Sequence, residues 1–190
     1  MAKIKIKNIF LHFNKICKHK FWVGYYCFKM GIPWRGITHD LSKFSPVEFW
    51  EGVKYYQGTS SPIDACKADK GYSKAWLHHK GRNDHHYEYW EDNFDQGGKS
   101  LQMPFPCVCE LIADYLGAGR AYMGKNFSYE AEYEWWKNKM SKPLAMDPRT
   151  KYFINLILSE LSSGWLIFLD KAVLKDQYYW RCEKRSYNGK

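Results

Sequence analysis

At 190 residues the chain is long enough to bury a hydrophobic core without disulfide staples. Its 29 Lys and Arg against 20 Asp and Glu leave a formal charge of +9, with seven lysines and no acid in the first thirty residues, a balance that favours anionic partners. Six cysteines with no C-x-x-C pair and no secretory signal argue against a secreted disulfide scaffold and for reduced thiols in the cytoplasm.

Apolar positions Ile9, Phe13, Ile16, Val23 and Phe28 predict a first helix from about Asn8 to Met30, closed by Gly31-Ile32-Pro33. The apolar run Ile9-Phe10-Leu11 stops at His12, too soon for the core of a signal peptide, and His12 itself reads as a core histidine. Gly36-Ile37-Thr38-His39-Asp40-Leu41-Ser42-Lys43-Phe44 follows, with a short second helix expected to carry His39 and Asp40. Ser45-Pro46-Val47-Glu48 spells a capping box with Pro at N1, starting a third helix that runs to about Gln57. Gly58 to Pro62 is a loop. Residues 63–80 read as partly helical with a break near Gly71, and they lead into Ala75-Trp76-Leu77-His78-His79-Lys80-Gly81-Arg82-Asn83-Asp84-His85-His86.

Gly97-Gly98 and Pro104 to Pro106 bound another loop. A helix from about Pro106 to Met123 carries Glu110 and Asp114 at i, i+4. Ser128 caps a helix over 129–140, and Asp147-Pro148 opens a long final helix to about residue 175. Its apolar stretch, Tyr152 to Leu169, is interrupted by Asn155 and Glu160 and reads as a buried helix, not a membrane span. Only Lys3 to Lys7 alternates like a strand, and the tail from Tyr178 carries no clear signal. The expectation is one all-α domain over 1–190, with most of the nine Trp, fifteen Tyr and eleven Phe in its core.

Chemistry concentrates in the two polar stretches. The adjacent His39 and Asp40 offer ligands of mixed hardness, suited to Mn²⁺, Fe, Zn²⁺ or a water-bridged Mg²⁺. Lys43, three residues on, would share their face of a helix and reach an anionic substrate. His79 and His86 are seven apart, about 10 Å of rise on a straight helix. That is too far for one ion whose ligands lie about 2 Å from it, and Gly81 offers the break that would let the chain fold back. His78 and one of His85 and His86 read as outer hydrogen-bond donors. Asn83 and Glu88 either orient histidines or cap a turn, and Lys80 and Arg82 either clamp phosphate or lie on a solvated loop. Cys107 and Cys109 read as core packing.

The order His19, His39-Asp40, His79, His85-His86, Asp114 resembles the HD-domain superfamily, an all-helical metal-dependent group with the signature H…HD…D. The likeness spans about residues 8–123, with separations of 20 and then 74 residues, and leaves the helices over about 128–178 outside it. HDLSKFSPVEF, AWLHHKGRNDHHYEYW and the segment from Met103 to Gly124 also resemble a small family of bacteria and phages with no assigned activity. The superfamily resemblance implies His19, His39, Asp40 and Asp114 as ligands of a first metal, with Asp40 bridging if a second binds. It implies His79 with His85 or His86 on that second metal, and Lys43 as the HD-x-x-K lysine that contacts substrate phosphate. No G-Y-P follows His85-His86, unlike the cyclic-dinucleotide phosphodiesterase branch.

The expected function is a hydrolase of a nucleotide or other phosphate ester that uses one or two divalent metals, with Asp40 and Lys43 catalytic. Two alternatives share the scaffold: a di-iron enzyme that activates O₂, and a protein that binds or sequesters a nucleotide without turnover. The basic charge favours phosphate. A membrane partner is not expected, nucleic acid is less favoured than a nucleotide, and oligomeric state is not legible.

Overall fold

Apolar residues three and four apart build the longest helix of the computed structural model, which describes residues 4–92 and 94–184. This helix, α1 (Ile6–Lys29), turns Ile16, Val23, Tyr26 and Cys27 inward, together with the polar Asn8, His12 and His19. It stops just before Gly31, whose left-handed φ of 68° turns the chain, and Pro33 then supplies the first residue of α2 (Pro33–Thr38).

The second helix does not carry His39 and Asp40. It ends at Thr38, and Asp40 takes a left-handed conformation (φ 54°, ψ 29°) before a 3-10 turn over Leu41–Phe44. Among the described residues Asp40 is the one non-glycine with positive φ. Aspartate tolerates that region better than most L-residues, and the kink frees its carboxylate from a helix face.

A serine cap starts each of the next three helices, with proline at the first position of the first two. Ser45 accepts from Glu48 N to open α3 (Pro46–Tyr55), Ser61 from Ile63 N to open α4 (Pro62–Lys70), and Ser73 from Trp76 N to open α5 (Lys74–Lys80). The break at Gly71 is present, and α5 ends at Gly81 with the chain folding back as expected. A 3-10 turn over Tyr87–Trp90 leads to a two-residue antiparallel ladder, β1 (Glu91–Asp92) against β2 (Lys99–Ser100). That ladder has too little pattern to be read in sequence. Lys3 to Lys7 forms no strand where it is described: Ile6 and Lys7 already belong to α1, and Lys3 lies outside the described residues.

The buried α6 (Phe105–Met123) follows, then α7 (Tyr129–Met140) capped by Ser128, α8 (Pro148–Ser162) capped by Asp147, and α9 (Lys171–Tyr178) capped by Asp170. The final helix is therefore two helices. Ser162 and Ser163 donate to Ser159 O, Gly164 turns with φ 88°, and Trp165, Leu166 and Ile167 are exposed on the intervening turn. A π-helical turn over Tyr179–Glu183 continues α9 into the tail.

A continuous core joins Val23 and Tyr26 of α1 to Leu111, Ile112 and Leu116 of α6, Trp136 of α7, Phe153 and Ile157 of α8 and Leu174 of α9. The fold is all-α, and no helix among the described residues is long and apolar enough to cross a membrane. The contact that matters for the site is α1 against α6. A Cβ on Gly117 would stand 2.5 Å from Val23 Cγ2 and 3.0 Å from Val23 N, so only glycine lets these helices approach this closely. His19 lies one turn before Val23 and Asp114 three residues before Gly117, so this approach brings them together.

Candidate metal centre

Three segments distant in sequence converge on Asp40. On the first side, His19 Nε2 lies 3.0 Å from Asp114 Oδ1, 3.2 Å from His39 Nε2 and 3.5 Å from Asp40 Oδ2. His39 Nε2 is 3.1 Å from the same Asp40 oxygen and 3.5 Å from Asp114 Oδ1. On the second side, Asp40 Oδ1 faces His79 Nε2 at 3.2 Å and His85 Nε2 at 3.4 Å. Two four-residue groups result, each with its ligand atoms within 4.8 Å of one another: His19, His39, Asp40, Asp114 and Asp40, His79, His85, His86. One carboxylate serves both groups, with a different oxygen facing each histidine pair. His85 and His86 both belong to the second group.

Two buried glutamates that the sequence reading did not assign hold these rings from behind. Glu110 Oε1 accepts from His39 Nδ1 at 2.8 Å and from His85 Nδ1 at 3.1 Å, one histidine from each group. Glu48 accepts from His79 Nδ1 and His78 Nδ1, both at 2.7 Å. The capping box is thus half-formed: Ser45 accepts from the Glu48 backbone, but the Glu48 side chain leaves the cap for the histidines. Arg35 ion-pairs with both Glu110 and Asp84, and Lys20 Nζ donates to His39 O. Glu110 did leave a signal in sequence, because it precedes Asp114 by one helical turn and so shares its face. Glu48 left none, since its place in a cap already explained it.

These outer bonds decide what the inner atoms are. An imidazole that donates Nδ1–H to a carboxylate presents a lone pair at Nε2. When neutral, His39, His79 and His85 therefore aim lone pairs at the oxygens of Asp40, which are acceptors too. Beyond the ion pair of Lys43 with Asp40 Oδ2, neither Asp40 oxygen, nor Nε2 of His85 or His86, has a hydrogen bond of proper geometry, although all four atoms are buried. Acceptors packed this closely draw positive charge, as a proton on the imidazoles or as a cation between them. The His and carboxylate donors of each group could hold a metal ion.

The electrostatics agree. Burial opposes charge on His39, yet Asp40, Asp114 and Glu110 push its pKa well above the ordinary imidazole value. Burial likewise works against ionised Asp40, but His39, Lys43 and His79 hold it well below the usual carboxylate range. Glu110 falls to about 2 against its own burial through the bonds from His39 and His85. His86 is pushed well below the imidazole range by burial and by His85, so its imidazole stays neutral. Lys43 ion-pairs with Asp40, and the 3-10 turn puts i+3 directly above i. Its pKa is raised because the attraction of Asp40 and Asp114 outweighs burial.

A cavity of about 220 Å³ opens beside both groups, lined by His19, Lys43, His79, His86 and Asp114 and also by His12, Lys15, Trp76 and Tyr122. His12 is no ligand. It is packed where a side chain on Gly52 would strike it, and burial and then Lys43 lower its pKa to about 4. His78 is an outer donor to Glu48, as expected. Asn83 Nδ2 donates to His79 O at 2.7 Å and Ser42 Oγ at 3.0 Å, so it both closes α5 and braces His79. Glu88 belongs to neither group, although its Oε2 is buried without a hydrogen bond. Arg82 is exposed, bonds to His78 O at 3.4 Å and does not line the cavity.

Residues 8–160 match the model of a family of unknown function, DUF5662. The chain belongs to this family. No curated protein and no solved structure matches it.

Proposed function

We propose that this DUF5662 chain is a metal-dependent phosphohydrolase of the HD type, acting on a nucleotide or a related phosphate ester. The observation that carries the reading is the division of labour at Asp40, whose two oxygens face two separate histidine pairs as a carboxylate shared between two cations would. His19, His39 and Asp114 would complete one ion's protein ligands, and His79, His85 and His86 the other's. Divalent cations in these places supply Lewis acidity toward a phosphoryl oxygen and lower the pKa of bound water.

The chain's own residues supply the rest. Glu110 and Glu48 keep the histidine rings turned with Nε2 inward. Lys43 is held charged at the cavity wall, where its ammonium offsets charge on the outer phosphate oxygens. Lys15 adds a second cation along the same cavity, and the apolar walls of Ile16, Trp76 and Tyr122 limit water around the reacting group.

The test is metal analysis of protein purified without chelator, followed by hydrolysis of a panel of nucleotides and an aryl phosphate with Mn²⁺. Turnover that disappears in Asp40→Ala, together with the metal, supports the reading. An iron-loaded wild type that hydrolyses nothing and consumes O₂ would favour the di-iron alternative, and binding without turnover the sequestering one.

A further inference from the structure

The outer face of α1 is apolar where a surface helix is ordinarily polar. Opposite its core-facing stripe, Ile6, Phe10, Phe13, Phe21 and Phe28 are exposed by 77, 72, 49, 66 and 74 %, with the exposed Cys17 among them. Gly24 completes the stripe and lies in a groove lined by Phe21, Phe28, Gly36, Ile37 and Phe44. A helix apolar on two opposite faces has a use for a second neighbour.

A second copy of this helix has a ring where the stripe has a gap, because reversal about Cys17 sets Phe10 on Gly24. Counted from Cys17, the positions 6, 10, 13, 17, 21, 24 and 28 fall at −11, −7, −4, 0, +4, +7 and +11, the same read in either direction. The recurrence of eleven at Ile6, Cys17 and Phe28 is about 3.67 residues per turn, which keeps the stripe along the helix axis for about 33 Å. A stripe symmetric about its midpoint suits an isologous contact, in which residue i meets j and j meets i across a two-fold axis.

We propose that α1 pairs antiparallel with α1 of a second copy, with Cys17 meeting Cys17 at the two-fold. Phe13 then faces Phe21 of the second copy and Ile6 faces Phe28. Phe10 faces Gly24, where the missing side chain opens the groove that its ring enters. The monomer does not itself require glycine there, since a Cβ on Gly24 meets only Gly36 O at 3.9 Å. Phe44 backs the contact, its ring centroid 5.9 Å from that of Phe13. The exposed Lys7, Lys18 and Lys29 run along one flank of the stripe, and the two-fold sets that flank against itself. This repulsion is screened by salt, so the pair tightens as ionic strength rises. An anionic membrane or an acidic partner on the same face would loosen instead.

The experiment is light scattering and sedimentation of the full chain at low and high salt, with a short bismaleimide as cross-linker. The expected result is twice the chain mass, favoured at high salt, with cross-linking through Cys17 that Cys17→Ser abolishes. Phe10→Lys and Gly24→Phe should each give monomers with unchanged circular dichroism and metal content. A chain that is monomeric in both salts, or a dimer that both variants leave intact, overturns the proposal. So does a monomer that sediments with phosphatidylserine vesicles only at low salt, which would give this face to a membrane.

Discussion

Glu110→Gln is expected to weaken metal binding at both groups at once, because one carboxylate orients His39 and His85. Loss of such an outer partner typically costs about 10- to 100-fold in affinity. Glu48→Gln, touching His79 and not His39, should affect only the second group. Competition with a chromophoric chelator measures both, and a Glu110→Gln protein with wild-type affinity at both groups would remove the glutamate from this role. Lys43→Met should retain fold and metal but lose about 100- to 1000-fold in turnover, the usual worth of one preorganised charge contact. Equal hydrolysis rates would leave Lys43 only its ion pair with Asp40. The histidines and aspartates that converge here were legible by residue type and order. Their orienting glutamates were not, because a glutamate in a helix has many ordinary uses and only the folded chain shows which ring it faces.

At the scale of elements, the α1–α6 crossing sets the first group. Gly117→Ala places a methyl carbon against the Val23 backbone, which the flexible end of a side chain cannot absorb. The expected cost is about 1–3 kcal/mol of stability from overpacking. Metal affinity should fall at the group that spans both helices, the one with His19 and Asp114, more than at the group with His79. Denaturant melts and metal titrations check this, and a variant with native stability would show that the helices shift apart freely. The short elements were the least legible. Periodicity and caps located α1, α3, α6 and α7 to within a few residues, whereas the end of α2 at Thr38 depends on a left-handed Asp40 that no helical pattern announces.

For the molecule as a whole, metal stoichiometry and pH dependence are the accessible readouts. Fully loaded wild type should hold about two ions per chain and His79→Ala about one. A single ion in wild type would leave the second histidine group to bind substrate. Stability also carries a signature from Glu132 of α7, buried and raised from an ordinary 4.5 to about 8 by burial first and the charge of Asp114 second. Between those pH values the folded chain keeps a proton that the unfolded chain has released. Stability from this group is therefore complete below about 4.5 and is lost as pH rises through about 8. Subtracting the stability profile of Glu132→Gln from that of wild type should leave a difference that declines across this window. A flat difference would mean that Glu132 ionises in the fold as it does in water.

By itself the sequence determined the helical class, the positions of most helices, and the residue types that can bind a cation. Those properties reside in local spacing: apolar residues every three or four positions, Ser and Pro at helix starts, His beside Asp. Tertiary structure alone decided that Asp40 divides its oxygens between two histidine groups, that His85 and His86 both reach the second, and that Arg82 faces away. Each depends on a distance between segments dozens of residues apart, set by the glycine-tight crossing of α1 on α6 and one left-handed residue, and a one-dimensional pattern holds no record of such distances.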